Sequence, residues 1–249
     1  MEMEEFYIDC DGYRLHAKLE RTEKKKRSPL CILIHGFTGD MEEDHLLAVR
    51  DVMIEAGLSV LRVEMYGHGG SDGKFEDHTL YKWITNALAV IRYAKTLENV
   101  SDLYLCGHSQ GGLLTMLLGG MCADELKAII PLSPAWMIPG DARRGYLLGV
   151  EFDPEHIPDR LQGDDWELSG DYIRVAREIH VEDEIARYTG PVLIIHGVED
   201  ETVPYSVADA AFKMYDNAKL VPIPGAGHCF EGHLAELSHA LKNFFVGRV

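Results

Sequence analysis

Serine, histidine and carboxylate residues set among glycines carry the chemistry open to this chain. Gly107-His108-Ser109-Gln110-Gly111 is a G-x-S-x-G sequence that follows the apolar Leu103-Tyr104-Leu105-Cys106 and precedes Gly112 to Leu118, a good helix former. In that strand, turn and helix context the pattern predicts a serine on a tight, strained turn. Glycine is needed at the flanking positions because side chains there would strike the neighbouring strand and helix. A serine hydroxyl is a weak nucleophile until a base takes its proton, and the base needs a carboxylate to orient it. Val192 to Ile195 runs into His196-Gly197-Val198-Glu199-Asp200, and Leu220 to Ile223 runs into Pro224-Gly225-Ala226-Gly227-His228. Both partners therefore fall in loops beyond apolar strands, in the chain order serine, acid, histidine. The predicted set is Ser109 as nucleophile, His228 as base and Asp200 as orienting acid, with Glu199 in reserve because Glu199, Asp200 and Glu201 are consecutive.

A tetrahedral intermediate also needs two donors aimed at its oxygen, and loss of one costs ~3 kcal/mol of barrier. The backbone N–H of Gln110, at the start of the helix behind Ser109, is one candidate. The N–H of Phe37, in His35-Gly36-Phe37-Thr38-Gly39 after Leu33-Ile34, is the other. Of the 12 histidines, His35, His108 and His196 adjoin glycines at strand ends and His68 sits in a glycine-rich loop, so they are read as local packing or hydrogen-bonding residues. The stretch Gly67-His68-Gly69-Gly70-Ser71-Asp72-Gly73 departs from G-x-G-x-x-G at its third glycine and reads as a surface turn. No G-x-x-x-x-G-K-[ST] occurs, and His228, His233 and Cys229 lack metal-ligand spacing, so neither metal nor cofactor is expected.

The elements that must position these residues are short apolar runs, Leu30 to Ile34, Ser59 to Val63, Leu103 to Cys106, Ala128 to Leu132, Val192 to Ile195 and Leu220 to Ile223. Stretches with helical spacing separate them, such as Leu46, Val49, Val52 and Met53, then Trp83, Ala87, Leu88, Val90 and Ile91. That alternation predicts an α/β fold, a mostly parallel sheet with helices on both faces. Phe6 to Ile8 and Tyr13 to Leu19 around Asp11-Gly12 read as an antiparallel hairpin at the sheet edge. From Ala135 the rhythm breaks, with Pro139, Pro154 and Pro158 and a single clear helix near Tyr172 to Ile179. The predicted organisation is a core of residues 1–134 and 185–249 with an inserted cap at 135–184.

With 24 Lys+Arg against 41 Asp+Glu, the formal net charge of -17 disfavours nucleic acid and anionic membrane as partners and suits a small neutral ligand. The run Lys24-Lys25-Lys26-Arg27 reads as a solvated turn. No apolar stretch approaches the ~20 residues of a membrane span, and the acidic start is unlike a secretory signal, which predicts a cytoplasmic protein or one that has lost its leader. Five scattered cysteines without a C-x-x-C pair read as free thiols in a reducing compartment.

The chain resembles the bacterial cinnamoyl and feruloyl esterases of the α/β-hydrolase superfamily over nearly its whole length. His35-Gly36-Phe37-Thr38 and Gly107 to Gly112 mark the superfamily. Gly67-His68-Gly69 through Ser71 to Glu76, and Asp153-Pro154 through His156 to Arg160 with Gly140-Asp141 ahead and Tyr172 after, narrow it to that family. The resemblance implies a nonpolar slot under the cap for a hydroxycinnamoyl group, with Asp141 and Tyr172 bonding its phenolic hydroxyls; it also implies a homodimer. Leu148 stands where relatives can have a glutamine, which alters the expected phenol preference. Without the resemblance, Asp141 reads as a turn cap and Tyr172 as helix packing. The competing functions are another serine hydrolase (short-chain acyl esterase, monoacylglycerol lipase or peptidase) and a receptor that binds ligand without turnover.

Overall fold

A strand buried on both faces has no polar side to show, and the apolar runs form such strands. The computed structural model describes residues 2–21 and 27–247, so Lys24 to Lys26 of the basic run lie outside the described residues. The hairpin β1 (Glu2–Cys10) and β2 (Tyr13–Arg21) turns through Asp11 at φ 48° and Gly12 at φ 87°. Both lie in the left-handed region that Asp-Gly hairpin turns favour. There follow β3 (Ser28–Ile34), α1 (Asp44–Glu55), β4 (Ser59–Val63), α2 (Leu80–Thr96), β5 (Val100–His108), α3 (Gln110–Met121) and β6 (Leu126–Leu132). After the predicted insertion come β11 (Val192–Gly197), α7 (Tyr205–Met214), β12 (Ala218–Ile223) and α8 (Leu234–Phe245). Among the described residues the main sheet has eight strands in the order β1-β2-β4-β3-β5-β6-β11-β12. All pairs from β4 to β12 are parallel, and β1 and β2 are antiparallel.

The two-residue strand period sorts side chains between the layers. Cys31 and Leu33, Tyr104 and Cys106, Ile130 and Leu132, and Leu193 and Ile195 pack with α1 and α8. Leu30, Ile32 and Ile34, Leu105, Ile129 and Ile194 pack with α2 and α3 on the other face. The predicted stripe Leu46, Val49, Val52 and Met53 is buried along α1, each such side chain contributing ~1.5–3 kcal/mol. Helix α3 is buried on every side up to Gly120, as its largely apolar sequence requires.

Between β6 and β11 the chain forms α4 (Ile138–Arg144), hairpin β7 (Tyr146–Leu147) and β8 (Val150–Glu151), hairpin β9 (Arg160–Gln162) and β10 (Glu167–Ser169), α5 (Gly170–Ala176) and α6 (Val181–Arg187). This is more structure than the one expected helix, because strands of two or three residues carry no periodic signal. Ile138, Leu147, Leu161, Leu168 and Ile173 join the same apolar cluster as α2 and α3, so the segment has no separate core. Helix α6 begins before residue 184 and lies against α3; a Cβ on Gly120 would come within 2.4 Å of Glu184 O.

Candidate active site

The strand ends explain the elbow. Ser109 follows β5 directly at φ 55° and ψ −116°, a left-handed conformation that costs a non-glycine residue ~1–3 kcal/mol. It is held there by its N–H on Leu132 O at 2.9 Å and by Ala135 N–H on its own carbonyl at 3.0 Å. A Cβ at Gly107 would lie 2.2 Å from Gly111 O, and one at Gly111 2.4 Å from His35 O. Both glycines of the motif are therefore required by close backbone approach, as the sequence argument proposed.

Beyond β11, Asp200 is buried, and its Oδ1 accepts the N–H groups of Thr202 at 2.9 Å and Val203 at 2.8 Å. Its Oδ2 accepts His228 Nδ1–H at 2.8 Å from the loop beyond β12, and His196 Nε2 lies 3.2 Å away. Burial alone would raise this carboxyl's pKa, but hydrogen bonds from His196 and His228, then the charge of His228 and the Val203 amide, hold it well below the ordinary carboxylate value. Glu199 points elsewhere, accepting Gly225 N–H. The carbonyl of His228 is fixed in turn by His108 Nε2–H at 2.9 Å and Ser133 Oγ at 3.1 Å.

Ser109 and His228 line one cavity of about 490 Å³ at the C-terminal ends of the strands, where open parallel sheets bind ligands. The Ser109 hydroxyl makes no hydrogen bond to His228 in this arrangement; such contacts commonly tighten when substrate binds. A larger depression of about 570 Å³, near Lys95 and Asp124, lies at the opposite ends of β5 and β6 and contains none of the predicted site residues. Among the described residues, the Phe37 and Gln110 N–H groups have no acceptor. The Phe37 carbonyl accepts His68 Nε2–H at 2.5 Å, so the glycine-rich turn after β4 positions the Phe37 loop. His35 donates Nδ1–H to Gly36 O at 2.7 Å and accepts Met65 N–H at 3.0 Å; burial, then the nearby His68, pushes its pKa down to about 3.

Met137, Asp141, Tyr146, Leu148 and Trp166 of the segment 135–184 wall the cavity. Asp141 pairs with Arg144; burial raises its carboxyl pKa, partly offset by that guanidinium. Leu148 sits at φ 46° beside Gly149 at φ 91° in the two-residue turn of the β7–β8 hairpin, a conformation in which leucine is an outlier. Tyr172 differs from its expected place. It is 0% exposed and donates its hydroxyl to Gln110 Oε1 at 2.5 Å, so it cannot touch a ligand in this arrangement. Burial also raises its hydroxyl pKa far above the usual tyrosine value.

Sequence reasoning did not single out Ser133, His68 as the Phe37 clamp, or Glu43, and it set Cys229 aside; Glu43 and Cys229 also line the cavity. Burial, then the charges of Asp40 and Glu231, pushes the Glu43 carboxyl up to about 7.

Comparison with known proteins agrees with this architecture. Residues 25–162 match the family described as serine aminopeptidase, S33. The structure of Est1E from Butyrivibrio proteoclasticus with ferulic acid bound is 55% identical and superposes with a TM-score of 0.95 over 97% of this chain and 98% of that one. Human protein ABHD12B is 27% identical over 211 residues, 79% of this chain and 54% of its own. Zebrafish lysophosphatidylserine lipase ABHD12 is 27% identical over 197 residues, 76% of this chain and 47% of its own. The chain thus spans about half the length of these two relatives. Among the described residues, no helix is long and apolar enough to cross a membrane.

Proposed function

Because the chain belongs to the serine aminopeptidase S33 family, we propose that it is a serine carboxylesterase of the α/β-hydrolase superfamily that hydrolyses hydroxycinnamoyl esters through Ser109, His228 and Asp200. The observation that carries this reading is the 2.8 Å hydrogen bond between buried Asp200 and His228, in a cavity shared with the strained Ser109. As ester enters, the Ser109 hydroxyl swings onto His228 Nε2, which takes its proton as Oγ bonds to the carbonyl carbon. Asp200 accepts Nδ1–H and stabilises the imidazolium. The oxyanion receives the unpartnered N–H groups of Phe37 and Gln110. Collapse of the intermediate breaks the ester C–O bond, and the alcohol leaves with the proton from His228. Water then attacks the acyl-enzyme by the same steps, releasing the acid and restoring Ser109. The residues form this machinery without a cofactor.

The acyl preference is supported by likeness to a structure that contains ferulic acid and by the cavity's chemistry. Residues 135–184 act as the cap, with Trp166 and Met137 offering apolar faces to a planar acyl group and Asp141 accepting a ring hydroxyl. Tyr172 acts indirectly, by holding the Gln110 side chain. A cytoplasmic homodimer completes the proposal; the five unpaired cysteines favour the location. The test is a specificity profile across alkyl, aryl and hydroxycinnamoyl esters and an aminoacyl amide. The highest kcat/KM should fall on hydroxycinnamoyl esters; preference for the alkyl esters or the amide would overturn the substrate assignment.

A further inference from the structure

Three donors of different chemistry meet beside His228 and have no part in the catalytic steps above. One ring nitrogen of His45, the Cys229 thiol and one Glu43 carboxylate oxygen lie within 4.8 Å of one another. His45, at the start of α1, is 2% exposed, and its Nε2 has no hydrogen-bond partner. Glu43 Oε2 is likewise buried without a partner. It is packed so closely on the Phe37 loop that a Cβ at Gly39 would come within 2.2 Å of it. An unpaired buried polar atom costs ~1–3 kcal/mol, so these atoms are built to receive something other than each other.

We propose that Glu43, His45 and Cys229 form a zinc-class metal site in the wall of the catalytic cavity, and that its occupation inhibits hydrolysis. Thiolate with imidazole and carboxylate is a donor set that suits zinc. Zinc bond lengths of ~2.0–2.3 Å require donors about 3.3–3.6 Å apart, so side-chain rotation must draw together any pair that stands wider than this. Binding expels the thiol proton and leaves a fourth position open to the cavity, which Glu43 and Cys229 line together with Ser109 and His228. Cys229 is bonded directly to His228, so a loaded site also fixes the turn that must deliver the imidazole. The net charge of -17 raises the local concentration of cations at the surface. Sequence spacing carried no trace of this site, because its residues come from two distant segments.

Inhibition rests on the catalytic reading; metal binding does not. The experiment therefore follows binding spectroscopically, with cobalt(II) as the probe, on the chelator-treated full chain. One equivalent should produce thiolate-to-cobalt charge-transfer absorbance in the near ultraviolet, and zinc should displace it. The band should vanish in Cys229→Ser and weaken at least tenfold in apparent affinity in both Glu43→Gln and His45→Gln, while surviving in Ser109→Ala. Zinc should inhibit the wild type at concentrations at least tenfold below those that inhibit Cys229→Ser. Glu43→Gln keeps the proposal testable where His45→Gln fails to fold. Absence of the band, its persistence at full affinity in Glu43→Gln, or dependence on His228 in place of Cys229 would each overturn the proposal.

Discussion

Replacing Tyr172 by phenylalanine separates two roles for one hydroxyl. Tyr172 is fully buried and donates to Gln110 Oε1 at 2.5 Å, while Gln110 Nε2 already lacks a partner. Tyr172→Phe keeps the ring and its edge contacts with Phe37 and His78 but leaves both polar atoms of the amide unpaired. That loss costs ~1–3 kcal/mol. For a chain of this length each kcal/mol moves the melting temperature by roughly 2–4 °C, so calorimetry should record a fall of about 2–12 °C. The proposed oxyanion donor is the backbone N–H of the same glutamine, so kcat should fall as well, by less than the ~10²-fold that outright loss of a donor causes. Methyl ferulate and methyl cinnamate should suffer alike, because the hydroxyl does not reach the ligand. Unchanged melting with a selective loss on ferulate would instead assign the hydroxyl to the substrate.

Asp141→Ala should do the reverse: kcat/KM on caffeoyl esters should fall relative to unsubstituted cinnamoyl esters by ~1.5–3 kcal/mol, the worth of a hydrogen bond to a charged group, and equal losses on both would remove the contact. Gly111→Ala should destabilise the fold by ~1–3 kcal/mol or more in urea titrations, since its Cβ would lie 2.4 Å from a backbone oxygen; a neutral effect would mean the elbow is looser than described. The depressed pKa of Asp200 has a definite sign. Its ionised form stabilises the fold fully above the unfolded value of ~3.9, and that contribution is lost as pH falls through the lower folded value. The stability gap between wild type and Asp200→Asn, read from urea midpoints, should therefore be widest near neutrality and shrink below pH ~4; a gap that does not narrow in acid would count against the ionised, hydrogen-bonded carboxylate.

The sheet and the elbow were legible because both depend on local patterns. Two-residue sorting of apolar strands and the glycines at 107 and 111 follow from backbone geometry within a few residues. The choice between Glu199 and Asp200 was a matter of direction, and it took the tertiary structure to turn one toward Gly225 and the other toward His228. The residues alone read Tyr172 as packing and only the resemblance implied a ligand contact; its bond to Gln110 was hidden because the two are distant in sequence and a buried hydrogen bond leaves no periodic trace. The clamp of His68 on Phe37 and the pairing of His108 with the His228 carbonyl are hidden for the same reason. In the segment 135–184, two-residue strands and a leucine at positive φ contradict local propensity, and packing over the cavity overrides it.

In the proposed mechanism the acyl group passes through Ser109. Rapid quenching of the enzyme with an activated hydroxycinnamoyl ester, followed by peptide mass mapping, tests it directly. A burst of alcohol stoichiometric with enzyme and an acyl adduct on Ser109, both absent in folded Ser109→Ala, is the predicted result. An adduct on another residue, or undiminished turnover in Ser109→Ala, would contradict it.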